Sequence, residues 1–431
     1  MGNFKKNFFN FKILLSLLLS AAILLSFRYT LIYDTKLGTI LVFLIFQFVI
    51  WTAFFLSNKK INLIFINLFI IIFLNLIITP LFYKMTFDVP IRRANDKQII
   101  EYKRDFFKGM FNGTHVISTD KKGYRTNKKI NYEEKPKETL RVITIGGSTT
   151  EEDQTDDKKT WSNLLVESLS KHSNKEIELI NMGMSGLRSK YHYLSLIRAK
   201  KYQPDIVIFL LGVNDWVNHI INRDKSYLIP FYEIKYDFKK SPLFKVYEKI
   251  NRQVSKIFTK KHEKVNKQKL SVNLTTEEKI ESIHLSWMNS LENRKIVKSF
   301  EPEEVSKQYS FWLSYIIKEC KNNKFKCFFA DQPNGYKKNV SSELKKRFWM
   351  TPPYRDYTLT LDNMIKISFF YNNWLKNHII NNKLNFCLLS NKLEPSTNYF
   401  FDDVHLAENG SKKVAKFLSE CIKLNFNFKT M

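Results

Sequence analysis

Among the eight His of this 431-residue chain, only His405 has an Asp three residues upstream, in Phe401-Asp402-Asp403-Val404-His405-Leu406. A base that takes a proton from a hydroxyl needs an orienting carboxylate, so His405 is a candidate base and Asp402 its partner, with Asp403 adjacent. A hydroxyl nucleophile is offered by Gly146-Gly147-Ser148-Thr149-Thr150, where the glycines let the backbone turn sharply and approach a substrate. Two more segments, Asn181-Met182-Gly183-Met184-Ser185-Gly186 and Gly212-Val213-Asn214-Asp215, supply a backbone N–H beside glycine and a carboxamide donor. Each alone is also what an ordinary turn requires; their weight comes from occurring together. Ser185 is a rival nucleophile. Neither serine sits in the Gly-x-Ser-x-Gly elbow, since Thr150 and Leu187 stand where its last glycine would be. Glu281 with His284 is a second acid and His pair, but it falls in a charged helical stretch and reads as surface.

These segments need a scaffold that brings them to one rim. Short β-branched and aliphatic runs at 141–145, 177–182, 206–211, 325–329 and 386–389 read as strands. Apolar residues at helical spacing fill 160–169, 189–199, 303–320 and 361–379, and a last helix is expected over 410–422. Such alternation predicts a parallel sheet covered by helices on both faces, with ligands beyond the carboxyl ends of the strands. Ser148, the Gly186 segment and Asn214 follow the first three of those ends, and His405 lies between the last strand and the last helix. Residues 85–140 are polar, mixed in charge and broken by turn signals, so they read as a connector before the domain at 141–431.

Composition sets the remaining limits. With 44% hydrophobic residues, 37 Phe, 12 Gly and 11 Pro, the chain is neither wholly disordered nor collagen-like. Residues 37–56 and 61–83 contain no Asp, Glu, Lys or Arg, residues 11–27 contain only Lys12 near their start, and each run is long enough, or nearly so, to cross a bilayer as a helix. Lys5, Lys6 and Lys12 before or at the start of the first run, with Lys59 and Lys60 between the second and third, belong on the cytoplasmic side. Region 1–84 is therefore expected to span the cytoplasmic (inner) membrane three times and to place everything after it on the periplasmic or extracellular side. The net charge of +28 follows a bias toward Lys, Asn, Ile and Phe along the whole chain; without zinc-finger spacings or an RNA-binding motif, no nucleic acid partner is expected. Cys320, Cys327, Cys387 and Cys421 lie in the outer part, where an oxidising compartment permits disulfides. The default for Cys327 and Cys387, in core strands, is a buried thiol. No His/Cys cluster has metal spacing, and neither metal nor cofactor is called for.

The four blocks, in this order over about 141–423, resemble the SGNH/GDSL hydrolase superfamily of esterases, lipases and carbohydrate O-deacetylases. The first has Gly147 where the eponymous form has Asp. The resemblance implies a flavodoxin-like three-layer α/β/α sandwich around a central parallel five-stranded sheet, here after an N-terminal transmembrane helical region. It implies Ser148 as nucleophile, His405 as base, Asp402 as its partner, and an oxyanion hole from the amides of Ser148 and Gly186 with the Asn214 side chain. Gly123-Tyr124-Arg125 is similar to a segment often preceding this domain in exported members. A basic insert at about 216–302, with Tyr227, Phe231, Tyr232, Tyr236 and Trp287, interrupts the core and is expected to wall or cover the pocket. The expected activity is a membrane-tethered serine esterase acting on an acylated, O-acetylated glycan. Its alternatives are an O-acyltransferase that would need a membrane acyl-transfer partner, and a catalytically silent glycan-binding or scaffold protein.

Overall fold

In the computed structural model, which describes residues 89–222, 274–288, 290–426 and 428, the apolar run that ends at Gly146 is buried along its full length. A strand with no exposed face must be central and covered on both sides. The elements run β1 (Lys97–Tyr102), β2 (Gly113–Ser118), β3 (Arg125–Thr126), β4 (Thr139–Gly146), α1 (Ser148–Glu151), α2 (Trp161–Ser170), β5 (Glu176–Asn181), α3 (Ser189–Ala199), β6 (Ile206–Leu210) and α4 (Val213–Asn222). They continue with α5 (Thr276–Trp287), β7 (Ile296–Val297), α6 (Lys307–Asn322), β8 (Lys326–Ala330), β9 (Tyr357–Thr358), α7 (Leu361–Asn381), β10 (Asn385–Cys387) and α8 (Glu408–Asn425).

The main sheet has the order β10-β8-β6-β4-β5-β3. Its five parallel strands are those expected from the sequence, in the doubly wound order 2-1-3-4-5. The chain leaves β4 in one direction to reach β5 and returns past it to β6, so right-handed crossovers put α2 and α3 on opposite faces. Helix α2 packs with α8, and α3 with α6. Thr160, Ser306 and Thr360 cap α2, α6 and α7 through their hydroxyls, which fixes where those helices begin.

The expected sheet of five strands is corrected to six. The sixth, β3, is two residues long, runs antiparallel to β5 and comes from the stretch read as a connector. Two residues bounded by turns carry too little periodicity to announce a strand. Its Arg125 explains the Gly123-Tyr124-Arg125 segment. The guanidinium is buried and donates to the carbonyls of Glu151, Glu152 and Thr155 and to the Asp157 carboxylate, at 2.6–2.9 Å. It thereby holds the end of α1, the helix that starts at Ser148. The β1–β2 hairpin builds a second apolar cluster in which Ile100, Phe107, Phe111 and Ile117 pack on Phe401 and Ala407, either side of the Asp402–His405 segment.

The buried-thiol reading of Cys327 and Cys387 is also corrected. Disulfides join Cys320 to Cys327 and Cys387 to Cys421, with Cα separations of 5.9 and 5.8 Å, because packing sets the end of α6 against the start of β8 and the last turns of α8 against the end of β10. The three hydrophobic runs, and Tyr227, Phe231, Tyr232 and Tyr236 of the basic insert, lie outside the described residues. Among the described residues no helix is long and apolar enough to cross a membrane.

Replacing Arg125 with Ala strips the partner from three carbonyls and a carboxylate at once. It should lower the unfolding free energy by about 3–5 kcal/mol, read as a shift in the urea midpoint. Arg125→Lys should recover only part, because an ammonium cannot reproduce the fork of donors; a midpoint within experimental error of wild type for Arg125→Ala would contradict this role.

Candidate active site

The Asp402–His405 segment folds as a tight turn, and Asp402 makes that turn with its own side chain. Its Oδ1 accepts the backbone N–H groups of Val404 at 3.0 Å and His405 at 2.8 Å. This local pattern, natural to Asp, gives the three-residue spacing a physical reason. The same carboxylate lies 2.8–2.9 Å from His405 Nδ1 and accepts the Trp349 indole N–H at 2.8 Å. Since an ionised carboxylate only accepts, Nδ1 must carry a proton, which leaves Nε2 to face the serine. His405 Nε2 is 2.7 Å from Ser148 Oγ.

Electrostatics follow from burial. Asp402 is wholly enclosed; desolvation would raise its pKa, but the His405 charge and hydrogen bond pull it below the usual carboxylate range. Burial works against the imidazolium of His405, yet Asp402 outweighs it and lifts the pKa to about 9. Asp403 points elsewhere. Its Oδ2 accepts Tyr336 Oη at 2.7 Å and the amides of Trp349 and Met350, and desolvation followed by Asp402 pushes its pKa up to about 7.

Ser148 begins α1 immediately after β4, and Asn214 lies in the first turn of α4 after β6. These adjacent strands bound the switch point of the 2-1-3-4-5 order, where such sheets bind ligands. Asn214 Nδ2 donates to Leu187 O at 2.8 Å, next to Gly186, whose φ of +76° is the left-handed conformation that suits glycine. A Cβ on Gly147 would stand 2.7 Å from Asn214 Nδ2, so the Gly that replaces the eponymous Asp makes room for the carboxamide. A cavity of about 10 Å³ opens beside Ser148, lined by Gly147, Leu187, Asn214 and Gln332 among others. Asp215 accepts from the Ser189 hydroxyl at 2.7 Å and fastens the turn at Asn214 to the loop after Gly186.

The structure thus draws Ser148, Asp402, His405 and Asn214 together, with Gly186 one residue from Asn214's acceptor. Ser185 is excluded from a similar arrangement because its hydroxyl and its N–H both donate to Glu151 Oε2, at 2.5 and 2.6 Å. His284 corrects the sequence reading. It is buried, not surface, with Nδ1 3.8 Å from Asp402 Oδ2 and its ring against Trp287, Trp349 and Phe401. Burial holds its pKa down at about 4. Glu277, Ile280, His284 and Trp287 recur every three or four residues, and that stripe was the available signal. Trp349, whose ring lies 6.2 Å from and parallel to the His405 ring, had no signal in its sequence surroundings. Among the described residues no group of His, Cys, Asp and Glu is arranged to hold a metal ion.

A donor–acceptor chain of this kind can move a proton from Ser148 to His405 while Asp402 stabilises the resulting charge. Comparison with known proteins identifies the scaffold. Residues 142–418 match the family model described as GDSL-like lipase/acylhydrolase. No curated protein matches the chain. Similar solved structures include the acetyl xylan esterase AlAXEase, at 14% identity over 66% of this chain and 100% of that one, TM-score 0.35. The acetylxylan esterase Axe2 of Geobacillus stearothermophilus shares 12% identity over 67% and 95%, TM-score 0.33. A GDSL-like lipase from Bacteroides thetaiotaomicron shares 14% over 68% and 92%, TM-score 0.33. With well over half of its length matched by the family model, the chain belongs to the GDSL-like lipase/acylhydrolase family and is an ester-hydrolysing enzyme.

Proposed function

We propose that this chain is a serine esterase that removes small acyl groups, acetyl above all, from a cell-envelope or extracellular glycan, and that its N-terminal hydrophobic runs tether it to the cytoplasmic membrane with the catalytic unit outside. The observation that carries the reading is the 2.7 Å contact of Ser148 Oγ with a His405 whose Nδ1 is bound to Asp402.

In this mechanism Ser148 Oγ attacks the acyl carbon as neutral His405 takes its proton at Nε2. The carbonyl oxygen becomes an oxyanion, met by the Ser148 and Gly186 amides and by Asn214. Only one of Asn214's two amide hydrogens is engaged by Leu187, and the other serves the oxyanion. Collapse breaks the ester bond, and the sugar oxygen leaves with the proton from His405. Water then attacks the acyl-Ser148 by the same route and releases the acid. The space beside Ser148 is small, about 10 Å³, which suits a small acyl group such as acetyl. Two disulfides suit an oxidising compartment, which supports placing the catalytic unit on the outer side.

Three outcomes follow. Ser148→Ala should lower acetate release from acetylated glycan by a factor on the order of 10⁴ or more with the fold intact; undiminished release would remove Ser148 from the mechanism. The reaction needs neutral His405, whose pKa is raised, so kcat/KM should climb with pH through a limb above 6.5 and toward about 9. Asp402→Asn should move that limb down while cutting the rate roughly 10⁴-fold, and a profile flat from pH 6 upward in the wild type would contradict this assignment. Alkaline phosphatase fused after Met431 should be active in the host, since it folds only outside the cytoplasm; an inactive fusion of normal abundance would reject the three-span arrangement.

A further inference from the structure

A second cavity, of about 230 Å³, lies between β1 and α5. It is larger than the space beside Ser148 by an order of magnitude, and its wall is of two kinds. Arg92, Arg93, Asp96, Gln98 and Asp153 bring planar groups that donate and accept hydrogen bonds, while Ile280 contributes apolar surface from α5. The four charges balance, two against two. Arg92 is moreover committed to Glu151 and stands 3.6 Å from Asp153. With Glu151 counted, the surroundings carry one negative charge in excess, which disfavours an anion, and the other polar groups of the wall, Gln98, Gln154 and Thr276, are neutral. A ligand that matches it carries many neutral groups able both to donate and to accept, together with C–H surface, and a sugar ring is that kind of molecule.

Its position ties it to the reaction. Glu151 ends the helix that begins at Ser148, and Asp153 follows two residues later. One Glu151 oxygen takes Arg92, and the other takes the N–H and hydroxyl of Ser185, the residue before Gly186. Arg92 of the cavity wall and the loop before Gly186 thus share one buried carboxylate. The charge of Asp153 also reaches His405 and helps to hold the imidazolium.

We propose that this cavity is the subsite for a sugar ring of the acylated substrate, seated there while its ester reaches Ser148; the inference rests on the esterase reading above. It places sugar recognition partly on residues 92–98, ahead of the hydrolase core, and on α5, which follows the basic insert.

The test compares an ester without a sugar, p-nitrophenyl acetate, with glucose pentaacetate on the full-length protein. Gln98 is exposed on β1, and Gln98→Trp fills the cavity. It should lower kcat/KM for glucose pentaacetate by about tenfold more than for p-nitrophenyl acetate, chiefly through KM. Asp96→Ala removes an acceptor without adding bulk and should act in the same sense, which separates loss of the subsite from a folding defect caused by the Trp. Equal falls on the two esters in both variants would overturn the subsite. A wild type that releases acetate from neither ester in a Ser148-dependent way would overturn the esterase reading, and the inference with it.

Discussion

A carboxylate with no access to solvent, Asp402, sets the terms for the rest of the site. Taking such a charge out of water costs several kcal/mol unless its lone pairs are met. Four donors meet them: two backbone amides of its own turn, the His405 imidazole and the Trp349 indole. Each donor in turn needs a support. The turn is fastened by the Phe401 to His405 backbone hydrogen bond and by the packing of Phe401 among the aromatic side chains of the β1–β2 hairpin. Trp349 is held by Trp287, stacked at 4.5 Å, and Asp403 anchors the backbone on either side of it. The aromatic crowding around Asp402 thus encloses a charge whose lone pairs are met by the same groups that it holds in place.

The other half of the site is held from the opposite direction. Ser148 follows the central strand of the sheet, and its short helix is held at the carbonyls of Thr149 and Thr150 by Trp161 and Asn181 and at its end, through the carbonyls of Glu151 and Glu152, by Arg125. Ser148 and His405 are 257 residues apart in sequence, so their 2.7 Å contact depends on two independently braced loops. Glu151 extends the bracing from α1 to the loop of Gly186, and Asp215 ties that loop to Asn214. Residues 89–126 thus contribute to both halves: the hairpin supports the His405 turn, and Arg92 and Arg125 support the Ser148 helix.

The parallel strands and long helices were legible because their signals are local and periodic. Ser189–Ala199 has the bounds expected, and the other helices differ at their ends by a few residues. Ser148, His405 and Asp402 were legible because an Asp that caps its own turn and a Ser at a strand end leave short-range patterns. What escaped depends on contacts remote in sequence. Strand β3 exists because β5 offers it an edge, and Arg125 is explained only by carbonyls some 26–30 residues away. The disulfide partners Cys387 and Cys421 meet only after β10 and α8 have packed. Trp349 reaches Asp402 from a loop with no periodic pattern, and His284 was read as surface because the charged residues around it outweighed the narrow stripe it belongs to.

The proposed chemistry requires that His405, oriented by Asp402, activate Ser148. Labelling the full-length protein with a fluorophosphonate and locating the adduct by mass spectrometry tests this most directly. The adduct should sit on Ser148 in the wild type and be lost in His405→Ala. An adduct on Ser185, or labelling of Ser148 that persists undiminished without His405, would contradict the account.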